Sequence, residues 1–298
     1  MQVKTSSIPA RDGFALAATR YEPANGPSET VVTINPATAV PRYFYRHFAA
    51  FLAGEGYTTV TYDYRGTGES RPEELRGFEA RMRDWALLDM AGVVDWVEAT
   101  YRPGRLFHVG HSYGGQTAGL LPKGNRIDAM VTVSAQSGYW RLQGGNQKVM
   151  VALHAYLTLP LLSYIFGYMP WSKLASGEDL PQGVALEWAR WCRQPGYLLD
   201  DSSLPLVRYD AFEAPVLAYS FEDDDWGSSR SVAAMMRAYR QVTLRHVVPA
   251  ELGLQKIGHV GYFRPQAKML WRETVEWLES VAPADTRSSG PPSAGSLE

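Results

Sequence analysis

The stretch RLFHVGHSYGGQTAG (residues 105–119) decides how this sequence folds. An apolar run ends at Gly110, and Ser112 stands between Gly110 and Gly114 in the pattern G-x-S-x-G. At average usage of glycine and serine, the pattern arises by chance in roughly one chain of this length in ten. By itself it leaves two interpretations open: a nucleophilic serine on a tight turn, or a glycine-rich loop between a strand and a helix.

The residues around Ser112 favour the first interpretation. A serine nucleophile at a strand-to-helix turn needs a strand before it, a helix after it and small residues beside it. Residues 105–110 predict a strand, Gly114 and Gly115 are small, and residues 115–121 predict the start of a helix. The strand also falls in the middle of the predicted series, where such a serine is expected.

Strand-like and helix-like segments alternate on both sides of this turn. The alternation predicts an α/β fold, a mostly parallel sheet with helices on both faces. Two extended runs around Asp12-Gly13 predict an antiparallel hairpin at the sheet edge. The predicted strands cover residues 30–35, 58–64, 105–110, 129–135, 214–220 and 242–248, and the predicted helices cover residues 43–56, 84–101, 228–240 and 267–281.

Residues 139–213 interrupt this alternation and are rich in aromatic side chains. A long, partly helical insertion between two strands is typical of a lid over the strand ends, and most of its aromatic residues are expected to form its own small core. We therefore divide the chain into an α/β core (residues 1–138 and 214–282), a lid (residues 139–213) and a disordered tail (residues 283–298), which is rich in small residues, proline and glycine.

Composition and charge exclude several classes of function. The net charge of −2 and the isoelectric point near 6.3 give no electrostatic case for binding nucleic acid or an anionic membrane. The single cysteine, Cys192, excludes a disulfide framework or a thiolate metal cluster within one chain. The histidines are scattered without metal-ligand spacing, so we expect no metal and no cofactor.

The sequence also bears on location and assembly. The first thirteen residues have no apolar core of the kind a signal peptide needs. The most apolar run, residues 151–171, is interrupted by His154, Pro160 and Gly167, so no stable membrane insertion is expected. These observations predict a cytoplasmic protein, and they leave open whether it forms a homodimer.

A histidine is needed as the base, because a serine hydroxyl is a poor nucleophile near neutral pH. In this architecture the chain order is serine, then acid, then histidine. His259 fits, since it lies in the glycine-flanked loop KIGHVGYF (residues 256–263) before the last helix. His111 is expected to point away from the serine, His154 lies in the lid, and His246 lies inside a strand.

The acid is predicted at the end of the strand before that loop. Four acidic residues stand in a row within FEDDDWGS (residues 221–228), about 35 residues before His259. A row of acids on a loop is usually solvated charge, but this row lies at the carboxyl end of a sheet strand. The preceding strand ends in SAQSG and offers no carboxylate. The residues themselves leave Asp223, Asp224 and Asp225 open as the orienting acid.

Together these motifs resemble the α/β-hydrolase superfamily. The likeness is to its serine-hydrolase branch, related to lysophospholipases and serine aminopeptidases, and to a bacterial subgroup of hydrolases. It covers about residues 5–282 and is carried by INPATAVPRYFY (34–45), DYRGTGES (63–70), GHSYGG (110–115), DDDW (223–226) and GHVGYF (258–263).

The resemblance implies a role for three side chains. Ser112 would be the nucleophile and His259 the base. In many relatives the acid loop reads G-x-x-D with a proline four residues after the aspartate, and this alignment selects Asp224 as the acid, ahead of Asp225 and Asp223. Here the glycine and proline positions of that pattern are occupied by phenylalanine and serine.

The resemblance also implies an oxyanion hole made of two backbone N–H groups. One belongs to Tyr113, the residue after the nucleophile. The other follows the first central strand, where relatives commonly have His-Gly-x and this chain has Asn35-Pro36-Ala37. Pro36 has no N–H, so Ala37 is the predicted donor and Thr38 is the alternative.

The sequence thus predicts a serine hydrolase that cleaves a carboxylic ester or thioester by two-step acyl transfer. The aromatic, weakly charged lid favours a small-molecule substrate with an apolar or aromatic group. An acyltransferase would use the same residues, and a peptidase would want an acid in the lid, for which Glu178, Asp179 and Glu187 are available. From a different class, a non-catalytic ligand-binding protein on this fold is the alternative.

Overall fold

An eight-stranded sheet runs through the computed structural model, which describes residues 1–174 and 177–281. The described strands are, in chain order, β1 (Gln2–Pro9), β2 (Ala15–Glu22), β3 (Thr30–Asn35), β4 (Thr58–Tyr62), β5 (Arg105–His111), β6 (Ala129–Val133), β7 (Tyr168–Met169), β8 (Leu180–Pro181), β9 (Val216–Phe221) and β10 (Val242–Val247).

The large sheet has the order β1-β2-β4-β3-β5-β6-β9-β10, and β7 and β8 form a small antiparallel sheet of their own. The pairs from β4 to β10 are parallel. The pairs β1–β2 and β2–β4 are antiparallel, so the predicted hairpin at the sheet edge is confirmed. Its turn contains Gly13, whose φ of +87° is a conformation that glycine adopts without strain.

Helices cover both faces of the sheet, as the alternation predicts. The described α-helices are α1 (Arg46–Gly54), α2 (Met82–Asp84), α3 (Ala91–Tyr101), α4 (Tyr113–Gln116), α5 (Gln147–Leu153), α6 (Leu159–Phe166), α7 (Gln182–Cys192), α8 (Ser229–Met236) and α9 (Lys268–Val281). A π-helical segment, Trp85–Met90, joins α2 to α3, so the predicted helix over residues 84–101 is continuous.

Two apolar clusters hold these layers together, one on each side of the sheet. Successive strand residues point to opposite faces, and buried parallel strands are apolar on both. In β3, Val31 packs with the cluster that contains α3 and α8, whereas Val32 packs with the cluster that contains α1 and α9. Leu106 and Phe107 of β5 divide in the same way. The central strands are therefore buried on both faces.

The helix predicted over residues 115–121 is shorter than expected. Only α4 and a 3₁₀ turn at Ala118–Leu120 form there. The carbonyl of Gln116 accepts hydrogen bonds from the hydroxyls of Tyr209 and Tyr239, at 2.6 and 3.0 Å, instead of from a helix N–H four residues on. Tyrosines distant in sequence thus end this helix, which local sequence reasoning could not detect.

The helix of the insertion is longer than expected. Residues 147–166 form one helix, in which a π-helical turn at His154–Thr158 joins α5 to α6. Pro160 lies directly after that turn, where the altered hydrogen bonding accommodates a residue without an N–H. Gly167, with a φ of +76°, ends the helix. The residues that interrupt the apolar run at positions 154 and 160 therefore do not interrupt the helix, which ends at Gly167.

Residues 139–213 lie between β6 and β9 and contain α5, α6, α7 and the small sheet of β7 and β8. The division of the chain into core and lid stays a prediction. The tail predicted to be disordered, residues 283–298, lies outside the described residues.

The helix α3 approaches the hairpin closely at Gly92. A Cβ added at Gly92 would lie 2.6 Å from the Cα of Ala10, so one of the two backbones would have to shift. We expect Gly92→Ala to lower the free energy of unfolding by about 1–3 kcal/mol. Gly54→Ala, also in a helix but with nothing within 4 Å of the added Cβ, is the matched control. Urea unfolding measures both, and equal losses would contradict this packing.

Candidate active site

Ser112 lies on a sharp turn between β5 and α4. Its φ of +48° and ψ of −114° are unusual for a residue with a side chain, and such strain persists only where the surroundings impose it. The N–H of Ser112 donates to the carbonyl of Val133 in β6 at 2.8 Å. Its own carbonyl accepts from the N–H groups of Gly115 and Gln116 at 3.0 and 3.1 Å. The strained turn is thus held on both sides.

The two glycines that flank Ser112 are required by close backbone approaches. A Cβ added at Gly110 would lie 2.4 Å from the Cα of Gly115. A Cβ added at Gly114 would lie 2.2 Å from the carbonyl oxygen of Asn35. A larger residue at Gly110 would push α4 away from β5, and one at Gly114 would push the turn away from β3, so the G-x-S-x-G pattern follows from packing and not from composition.

His259 contacts a buried carboxylate. Its Nδ1 lies 3.0 Å from Oδ2 and 3.1 Å from Oδ1 of Asp224. The backbone N–H groups of Trp226 and Gly227 also donate to Asp224, at 2.8 and 2.9 Å. Burial acts to raise the pKa of Asp224, but the neighbouring His259 imidazole and these hydrogen bonds outweigh it and hold the pKa below its ordinary value. Asp224 therefore stays ionised beside the imidazole.

The geometry separates the three aspartates that the residues left open. Asp224 is the one that contacts His259. Asp223 accepts hydrogen bonds from the backbone N–H groups of residues 257–258 at 2.9 and 3.0 Å, so it fixes the loop just before His259. Asp225 is exposed and lines the cavity in front of the site. Three neighbouring acids thus face three different surroundings.

The hydroxyl of Ser112 is hydrogen-bonded to Gln136 in this structure. Ser112 Oγ donates to Gln136 Oε1 at 3.3 Å, and the Gln136 backbone is itself held by Gln116 Nε2, which donates to its carbonyl at 2.7 Å. Ser112 and His259 line the same cavity. Gln136 stands in SAQSG, the strand end noted above for its lack of a carboxylate, and sequence reasoning did not assign it a role.

The two N–H groups predicted to face a substrate oxygen differ in their surroundings. For the N–H of Tyr113, no acceptor is found within the described part of the chain. The N–H of Ala37 donates to the hydroxyl of Tyr45 at 2.9 Å, so it is engaged. Thr38 lines the cavity, and its N–H has no acceptor among residues 1–174 and 177–281.

The ring of His111 bonds to Tyr45 and to the loop of His259. Its Nε2 lies 2.8 Å from the carbonyl oxygen of His259, so we assign the ring proton to Nε2. Its Nδ1 then accepts from the Tyr45 hydroxyl at 2.9 Å, and that hydroxyl in turn accepts from the Ala37 N–H. Burial lowers the pKa of His111 to about 3, so the ring is neutral. A hydrogen-bonded chain thus joins the loop after β3 to the backbone of His259.

A cavity of about 430 Å³ opens in front of Ser112 and His259. Most of its larger side chains are aromatic or aliphatic, which suits an apolar group better than a charged one. Among the described residues, no cluster of three or more His, Cys, Asp or Glu side chains is placed to bind a metal ion. The apolar side chains of its wall include Val151, Trp171, Trp188, Tyr197, Trp226 and Ile257.

Comparison with known proteins identifies the family and the fold of this chain. A model of the alpha/beta hydrolase family matches residues 31–269. The fold is shared with the esterase Pf2001 of Pyrococcus furiosus (18% identity, TM-score 0.58, 94% of this chain and 90% of that chain covered). It is also shared with Est1E of Butyrivibrio proteoclasticus (16%, 0.63, 93% and 98%) and with a thermophilic esterase of Thermogutta terrifontis (17%, 0.59, 94% and 99%). Among curated proteins, no sequence matches this chain.

The buried, neutral His111 makes a testable contribution to stability. Between pH of about 6.5 and about 3 the unfolded chain binds a proton at this residue and the folded chain does not, so His111 lowers stability as the pH falls. At pH 7.5 we expect His111→Gln to cost about 1–3 kcal/mol through its lost hydrogen bonds. Because glutamine does not titrate, that cost should shrink by about 1.4 kcal/mol per pH unit between pH 6 and pH 4.

Urea unfolding at pH 7.5, 6 and 5 measures this difference. His47→Gln, at an exposed histidine, is the control and should leave the stability unchanged at each pH. A cost of His111→Gln that is the same at all three pH values would contradict a neutral, buried imidazole.

Proposed function

The chain belongs to the alpha/beta hydrolase family, and we propose that it is a serine hydrolase that cleaves a carboxylic ester or thioester with an apolar group. One observation carries the proposal. Ser112 on a strained turn and a histidine paired with a buried aspartate line the same apolar cavity. The esterases named above have the same fold, and their activity supports an ester as the substrate.

Each side chain has a defined task in this mechanism. Ser112 Oγ attacks the carbonyl carbon, and its proton passes to Nε2 of His259, because Nδ1 is bonded to Asp224. The ionised Asp224 holds the imidazole in that tautomer and stabilises its charged form. The C–O or C–S bond then breaks, His259 protonates the leaving group, and the acyl group stays on Ser112. Water, activated by His259, releases it as the acid.

The negative oxygen of each tetrahedral intermediate needs hydrogen-bond donors. The N–H of Tyr113 is suited to this task, because it is unengaged and follows the nucleophile directly. The second donor stays a prediction. Ala37 would have to release Tyr45 to take part, whereas Thr38 would not. On this ground we propose the Thr38 N–H as the second donor.

Before the first step the Ser112 hydroxyl must leave Gln136. The bond between them is long, at 3.3 Å, and rotation of one side-chain torsion is enough to break it. We infer that substrate binding shifts the hydroxyl towards His259, in keeping with the loose catalytic geometry of many unliganded enzymes. Gln136 would then be free to contact the substrate.

The lid acids named above for a peptidase do not line the cavity, whereas Asp223 and Asp225 of the acid loop do. Asp179 pairs with Arg71 at 3.3 Å, and Glu187 pairs with Arg83 at 2.7 Å. Neither carboxylate lines the cavity, so neither is free to bind the ammonium group of a peptide. An acyltransferase would differ only in the acceptor that replaces water. A cytoplasmic location and a homodimer stay predictions.

A fluorophosphonate probe tests the nucleophile. We expect the native chain to become covalently labelled at Ser112, because phosphonylation requires an activated serine. Ser112→Ala should abolish the labelling, and mass spectrometry of the labelled peptide locates the adduct. An unlabelled native chain, or equal labelling of the variant, would exclude the proposed chemistry.

Single asparagine substitutions test the acid. Asp224→Asn should lower kcat by about 10³–10⁴-fold, because the imidazole loses the carboxylate that fixes its tautomer. Asp225→Asn is the matched control and should stay within about twofold of the native kcat, since that carboxylate is exposed. Asp223→Asn should fall between them, because it loosens the loop before His259. Hydrolysis of a p-nitrophenyl ester measures all three, and equal losses would refute the assignment.

A further inference from the structure

The helix of residues 147–166 is apolar on two sides. Its inner side is buried at every fourth residue, at positions 151, 155, 159 and 163. Its outer side carries seven large apolar side chains that are 48–71% exposed, half of all such exposed side chains in the described part of the chain. We call these seven residues the outer stripe: Val149, Leu153, Tyr156, Leu157, Leu161, Tyr164 and Ile165.

An uncovered stripe of this kind is unusual on a protein surface. Exposed apolar side chains are common singly, but a contiguous row marks a surface that meets another apolar phase or partner. A helix that is apolar all round is normally buried in a protein or in lipid. By length and composition alone this helix could even cross a membrane. Its inner side is packed against the protein, however, so only its outer side is free.

The segment that carries the outer stripe has charges of one sign. Residues 129–177 contain no Asp or Glu, although these make up 31 of the 298 residues, a frequency that would place roughly five there. Lys173 and Arg193 each stack on an aromatic ring of the helix, 5.7 Å from the ring centroid. Lys148 lies in the first turn of the helix and is exposed. The apolar stripe is therefore bordered by cations without neighbouring acids along its own segment.

We propose that the outer stripe docks the protein on an anionic lipid surface, with the helix lying in the plane of the interface. Apolar side chains enter the boundary between headgroups and acyl chains, while lysine and arginine bind the anionic headgroups. A second copy of the chain fits this surface less well. In a symmetric dimer each surface faces itself, so the cations at the border would meet like charges.

With the helix docked, the cavity in front of Ser112 would lie next to the lipid surface. Val151, on the inner side, lines the cavity beside Ser112. His154 packs on Trp226, with ring centroids 6.3 Å apart, and the N–H of Trp226 donates to Asp224. The helix thus contacts the acid loop directly. Delivery of an apolar ester from the lipid to Ser112 rests on the proposed function, whereas the docking itself does not.

Sedimentation with lipid vesicles tests the docking. The full chain is mixed with vesicles of phosphatidylglycerol and phosphatidylcholine, or of phosphatidylcholine alone, and the bound fraction is measured. We expect clear binding to the anionic vesicles and weaker binding to the neutral ones. The double variant Leu157→Glu/Leu161→Glu should bind the anionic vesicles about thirtyfold more weakly, because two half-exposed leucines no longer enter the lipid.

Leu244→Glu is the matched control, since Leu244 is 55% exposed on β10, in the sheet and not on the helix, and it should bind as the native chain does. Lys148→Gln/Lys173→Gln, a variant that leaves the stripe intact, should lose at least about tenfold on anionic vesicles and little on neutral ones. Near-ultraviolet circular dichroism checks that every variant is folded.

Failure of the native chain to bind anionic vesicles would overturn the proposal, as would equal weakening by Leu244→Glu. So would light scattering that shows a native dimer converted to a monomer by Leu157→Glu/Leu161→Glu, because the stripe would then be covered by a second copy. A chain that binds vesicles but is not labelled by the fluorophosphonate probe would refute the proposed function and leave the docking standing.

Discussion

Ser112 has a backbone φ of +48°, and the parts of the sheet around it keep the residue in that conformation. The N–H of Ser112 donates a hydrogen bond to the carbonyl of Val133, and the carbonyl of Ser112 accepts hydrogen bonds from two N–H groups in the first turn of α4. The glycines at 110 and 114 let neighbouring backbones approach closely. These contacts exist because β5 lies between β3 and β6 in the middle of a parallel sheet. The carboxyl ends of parallel strands meet at one edge, so the loops after β3, β6 and β9 all line the cavity in front of the same serine. The position of the whole site follows from this turn.

The loops at that edge are joined by hydrogen bonds that do not involve the reacting atoms. The Tyr45 hydroxyl and the His111 ring connect the Ala37 N–H to the carbonyl of His259. The His111 ring bonds to Tyr45 and to the carbonyl of His259, whereas the Ser112 hydroxyl bonds to Gln136, so the two neighbours serve different tasks. Burial lowers the pKa of His111 to about 3, and the chain of bonds keeps one arrangement of protons at neutral pH. His111, which is adjacent to the proposed nucleophile, thus helps to fix the backbone of His259, the proposed base.

Charge and apolar surface are distributed unevenly over the molecule. The net charge of −2 speaks against an anionic membrane as a partner when the chain is taken as a whole. The insertion departs from that average, since its long helix and flanks lack acids and carry cations around an exposed apolar stripe. A summed charge cannot describe a surface of this kind, because electrostatic attraction to a lipid interface falls off within about 8–10 Å in physiological salt.

The sequence by itself determined the order of strands and helices, the turn at Ser112 and the loop that carries His259. These features leave local signals: alternation of apolar residues, glycines where backbones touch, and a fixed order of serine, acid and histidine. The residues themselves left Asp223, Asp224 and Asp225 open and only the family resemblance selected Asp224; the contact between Asp224 and His259 is seen only in the tertiary structure. The tertiary structure also decided that Tyr45 engages the Ala37 N–H, that Gln136 holds Ser112, and that the helix of residues 147–166 continues past Pro160. Each of these depends on contacts between residues distant in sequence or on a local change in helix hydrogen bonding. Neither can be predicted from composition or from the spacing of residues along the chain.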